Sequence, residues 1–213
     1  MLYVSWFSVS CASVWNGLDY RLFRVAAGAD HAELLFSGVH TFTIDSVGHT
    51  KVAPDEFLIE LSAEALEAGW RRTYILHYRV YGKAVTRVDP VALQPQDFVH
   101  EWIDEPWSEM ESRSAPDLEG WHDRLHSELF FGSYDFAQSC SKRSDYTQVA
   151  VEVPKLNGHE LPEPETIYFL IKDKGGYSYE MSDISYDRQG GCPGEAEVDL
   201  TKQPSLFEKK QMF

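Results

Sequence analysis

The sequence predicts an α+β protein, and three observations carry that prediction. Two-residue alternation of apolar and polar side chains dominates the first 90 residues and returns after residue 130. Between them, residues 91–130 switch to a helical period. Strands and helices do not alternate regularly, which disfavours a parallel, doubly wound sheet or a β/α barrel. The expected division is a β-rich part over 1–90 and a part of two helices and antiparallel strands over 91–213, either as two subdomains or as one continuous domain.

LYVSWFSVS opens the chain and alternates as a strand. It lacks the basic start and unbroken apolar run of an export signal. Within LFSGVHTFTID, residues 35–45, two short strands are expected, and EFLIEL (56–61) is another. SAEALEAG (62–69) reads as one or two helical turns, capped by Ser62 and stopped by Gly69. TYILHYRVY is the clearest strand, with Tyr74, Leu76, Tyr78 and Val80 on one face and Thr73, Ile75, His77 and Arg79 on the other. Gly82-Lys83 turns it into AVTRV, a β-hairpin.

In PQDFVHEWI, Asp97 is the expected helix N-cap, followed by an apolar stripe of Phe98, Val99, Trp102 and Ile103. Pro106 ends or kinks that helix. SAPDLEGWHDRLHSEL starts a second, with Ser114 as N-cap, Pro116 in the first turn and Asp117 close to a capping-box position. YTQVAVEV (146–153) and TIYFLIK (166–172) are strands, and Lys174 to Gly176 turns the latter into YSYEMSDIS. From about Ser185 onward the chain is polar and rich in turns.

The net charge is −15, and it is concentrated: residues 1–90 carry −2, 91–140 carry −9 and 141–213 carry −4. Such a chain repels phosphate backbones, so direct nucleic-acid binding is not expected. No apolar run approaches the roughly 18 residues of a membrane helix, and the chain reads as soluble with no membrane partner. A basic protein partner suits the charge.

Three cysteines, Cys11, Cys140 and Cys192, show no CxxC spacing. A Cys140–Cys192 disulfide would close a long loop and contribute about 4 kcal/mol in the chain-entropy model. It would place the protein outside the cytoplasm; reduced thiols would place it inside.

The sharpest chemical motif is His122-Asp123-x-x-His126. Two imidazoles four apart share one helix face, as in the zinc-hydrolase pattern H-E-x-x-H. Here aspartate replaces the water-activating glutamate and reaches about 1.5 Å less far. The places of the extended motif's glycine and third histidine hold Leu129 and Gly132, which leaves Glu128 and His159 as candidate third ligands. A plain amphipathic helix accounts for the same positions: Leu118, Trp121, Leu125 and Leu129 form a buried stripe, with both histidines along its margin.

Trp102 and Trp107, with Glu109 and Glu111, mark an acidic, aromatic middle segment. No GxSxG, P-loop or GxGxxG pattern occurs. The leading expectation is therefore a non-enzymatic interaction domain that uses Trp102, Trp107, Glu109 and Glu111, with no cofactor. Binding of a small ligand or carbohydrate in an aromatic-lined pocket is one alternative. A hydrolase using a divalent metal on His122 and His126 is the other.

Overall fold

The structure is a computed structural model. It describes residues 2–9, 15–26, 28, 30–43, 47–65, 70–129, 135–143, 145–153 and 165–187. The fold is α+β, with antiparallel sheets before and after a central group of short helices. The chain forms two compact units, one from residues 1–65 and 71–89 with the terminal 205–213, the other from 66–70 and 90–204.

In the first unit, β1 (Leu2–Val9), β2 (Trp15–Val25) and β3 (Ala32–Thr43) form an antiparallel sheet in that order. A second sheet orders β4 (Val47–Val52), β5 (Glu56–Ala65), β6 (Trp70–Tyr81) and β7 (Ala84–Arg87). Period-two alternation builds the core between them. Leu18, Tyr20 and Leu22 from β2 meet Phe57, Ile59 and Leu61 from β5 and Tyr74 and Leu76 from β6. Phe57 and Tyr78 stack at 4.9 Å, and the Tyr20 and Tyr78 hydroxyls lie 3.2 Å apart.

Two expectations for this unit need correction. Residues 35–43 do not divide into two short strands; β3 is one twelve-residue strand. Gly38 sits inside it because the Tyr20 ring, directly across the pair, occupies the space a side chain would need. A Cβ there would lie 2.4 Å from Tyr20 Cζ. Residues 62–65 are not helical but continue β5, where Val47 pairs with Ser62. Sheet pairing overrides the helix preference of Ala and Glu. Residues 66–69 lie outside the described residues.

The β6–β7 hairpin forms as the pattern predicts, with Gly82 at φ 59° as the first of two turn residues. Residues 72–77 of β6 are buried on both faces, so polar side chains there need partners. Glu56 stands 2.8 Å from His77 Nε2 and accepts from Arg79 at 3.3 Å. Arg87 donates to the Ile75 carbonyl, and the buried Arg72 guanidinium lies 4.2 Å from the Tyr74 ring centre.

In the second unit, α1 (Pro95–Asp104), α2 (Trp107–Met110) and α3 (Glu119–Leu129) precede β8 (Asp135–Arg143), β9 (Tyr146–Val153), β10 (Glu165–Asp173) and β11 (Tyr179–Ser185). The sheet order is β11-β10-β9-β8, all antiparallel. The stripe predicted for α1 packs on this sheet, with Phe98 5.6 Å from Tyr179 and Trp102 6.3 Å from Phe169, ring to ring. The Tyr179 hydroxyl donates to the Leu93 carbonyl and anchors the approach to α1. In the β10–β11 turn, Gly175, Gly176 and Tyr177 all take positive φ.

Both expected helix caps move. The first helix starts at Pro95 with Gln94 as cap, so Asp97 lies inside the first turn and is buried. Proline presets the helical φ and nucleates the turn three residues earlier than an aspartate cap would. Ser114 caps nothing in α3. A short 3-10 turn, Pro116–Leu118, leads into that helix with Ala115 before it. Ser114 instead accepts from Trp102 Nε1 and donates to the Met110 carbonyl, both at 2.8 Å. Ser114 also bridges to Met181, and the Ala115 amide donates to the Met181 carbonyl, so the chain here lies along the edge of β11.

Candidate functional site

The last carbonyls of any α-helix lack partners within the helix, and α1 has no basic residue in its last turn to meet them. Two imidazoles from α3 do so. His126 Nδ1 lies 2.7 Å from the Ile103 carbonyl and His122 Nε2 lies 2.9 Å from the Glu105 carbonyl. A carbonyl only accepts, so these two nitrogens carry the protons. The four-residue spacing read as a metal motif is what matches two imidazoles to two carbonyls two residues apart.

The rings lie nearly parallel, 18° apart with centres 5.5 Å apart. His122 is 1% exposed and packs between Trp102 at 4.8 Å and Trp107 at 5.3 Å. Burial holds its pKa below the ordinary histidine value. The bond to Glu105 opposes this, and the charge of His126 adds to it. His122 is therefore a neutral donor at pH 7. Asp123 is exposed and comes only to 4.0 Å from His122 Nδ1, beyond hydrogen-bond range.

A metal-bound histidine commonly donates its second nitrogen to a carbonyl, so these bonds alone do not distinguish a ligand from a cap. Among the described residues, no three His, Cys, Asp or Glu side chains are placed to hold one ion. His159 and the side chain of Glu128 lie outside the described residues.

Trp102 and Trp107 occupy different places. Trp102 is fully buried in the helix–sheet core, while Trp107 is half-buried at the start of α2. Glu109 and Glu111 are exposed, one on α2 and one opening the 3-10 turn Glu111–Arg113. Asp117, Glu119 and Asp123 are exposed further along. Glu109, Glu111, Asp117 and Glu119 form no ion pair among the described residues.

The basic residue within this run, Arg113, is turned inward. It is 9% exposed, and its guanidinium donates to the Glu109 carbonyl at 3.1 Å. Arg113 and Ser114 thus hold the carbonyls at the end of α2, and the acidic turn is pinned from beneath. Sequence reasoning missed this role of Arg113. The signal available was its place four residues after Glu109, at the end of a short helix.

Arg124, the next base, lies at the surface. Its guanidinium hydrogen-bonds the Tyr186 hydroxyl and sits about 6 Å from the ring centres of Trp121 and Tyr186. Cys140 lies in β8, its backbone paired with Gln148. Its side chain, Cys11 and Cys192 lie outside the described residues, and with them the expected disulfide. No helix among the described residues is long and apolar enough to cross a membrane.

No protein-family model matches the chain, and neither the curated proteins nor the solved structures hold a significant match.

Proposed function

We propose that this protein is a non-enzymatic binding domain whose acidic face, from Pro106 to Asp123, docks a basic protein partner. The observation that carries the reading is the inward turn of Arg113. It leaves five exposed carboxylates, Glu109, Glu111, Asp117, Glu119 and Asp123, with no outward base among them. Exposed carboxylates without an outward base between them attract lysine- and arginine-rich segments and speed their encounter. The half-buried Trp107 beside them offers a ring edge or face to a bound cation. Trp102 supports the face from below rather than touching a partner.

The test is titration with a lysine- and arginine-rich peptide at low and high salt. Binding is expected at about 20 mM salt and should be largely lost at about 500 mM, where the Debye length falls to a few ångströms. The double variant Glu109→Lys/Glu111→Lys should weaken binding by roughly tenfold or more. A control with the same charge change in the first unit, Asp30→Lys/Asp55→Lys, should weaken it much less. Absence of binding at low salt, or equal loss in both double variants, would sink the proposal.

A further inference from the structure

Strand edges offer unpaired backbone groups to other chains, and proteins guard them. Most of the sheet edges here are guarded. The edge of β11 carries the Ser114–Ala115 segment, β7 has only four residues, β4 contains Lys51, and β8 ends in Lys142 and Arg143. Strand β3 is different. It is twelve residues long, has β2 as its paired neighbour, and from Leu34 to Thr43 contains no charged residue and no proline. Its one acid, Glu33, stands at the start and pairs with Lys83. Leu34 and Val39 are 51% and 67% exposed.

From these features we infer that β3 is a self-association edge, pairing antiparallel with β3 of a second copy about a two-fold axis beside Val39. Charge selects the occupant. Two copies of a −15 chain repel each other over most of their surface. Residues 15–43 hold three acids (Asp19, Asp30 and Glu33) against two bases (Arg21 and Arg24), a net −1, so copies meet here at little electrostatic cost. Val39 lies near the centre of the uncharged stretch, which makes the pairing self-complementary and closed. Strand β1 is also uncharged, but it is shorter, and joining it to β3 of another copy would be head-to-tail and open-ended. The interface is small, so the dimer is weak and forms at high protein concentration.

Sedimentation of the whole chain over a wide concentration range tests this, at moderate salt to screen the net charge. The wild type should pass from monomer to dimer. Val39→Lys and Val39→Glu each place like charges across the axis and should weaken association by roughly tenfold or more. An equal mixture of the two should restore it. Val39→Arg and Val39→Asp place the same charges at the same exposed position, should behave alike, and serve if either of the first pair unfolds. The inference is overturned by a wild type that stays monomeric at its highest soluble concentration, by open-ended polymers, by variants that dimerise like wild type, or by a mixture that stays monomeric.

Discussion

At the scale of the residue, His122 shows how a reactive-looking group can be an element of packing. Its low pKa has a stability consequence whose sign is fixed. The folded state holds its imidazole neutral below the pH at which an unfolded histidine takes up a proton, near 6.5. In that window the unfolded chain binds more protons, so stability is full above about pH 6.5 and falls as pH drops. Glu56, held below its ordinary value by His77 and Arg79 against the opposing effect of burial, adds a second loss that begins only below about pH 4.5. Urea unfolding midpoints between pH 5 and 8 should therefore decline toward acid, and His122→Asn should flatten that decline. An unchanged slope in the variant would show that another group carries it. The sequence made the helix legible, with Leu118 and Leu125 on its buried side and His126 at the margin. His122 is buried rather than marginal, Trp121 is only half-buried, and the side chain of Leu129 lies outside the described residues. It could not show what faced that margin, because the two carbonyls belong to a helix end some twenty residues earlier. Trp102 was misplaced for a related reason: helical spacing says which residues share a face, and only the packed sheet decides whether that face is covered.

At the scale of the element, strands and helices were readable wherever the local pattern and the tertiary environment agreed. The β6–β7 hairpin and the α1 stripe are such cases. Residues 62–65 are the opposite case, where a helix-favouring composition is drawn into β5 by strands on either side. Ser114 was read as a cap from its neighbours in sequence, yet its partners are Trp102 and Met110. That difference is testable. Ser114→Ala would leave the indole N–H of a buried tryptophan without its acceptor, at a cost of about 1–3 kcal/mol. The Trp102 indole proton should shift in the NMR spectrum, while the helical signal of α3 stays intact. A loss of helix with no change at Trp102 would restore the capping role.

At the scale of the whole molecule, the charge map was legible from composition alone, because net charge does not depend on the fold. Which charges face outward was not legible. Self-repulsion in a −15 chain opposes the compact state, so added salt should raise the thermal midpoint, over the same range in which the proposed peptide binding would be lost. A midpoint that falls with salt would mean that attractive pairs, such as Glu56 with Arg79, outweigh the repulsion. The inward turn of Arg113 has one more consequence. A surface arginine is a swinging arm that can fold over neighbouring acids and mute them when no partner is present. Arg113, buried on the carbonyl of Glu109, has no such freedom. The proposed face would therefore keep its full negative charge when nothing is bound, with no arginine of its own folded over it. On that proposal, discrimination among partners would rest on how well their cations match the carboxylates, since no internal arginine competes for them.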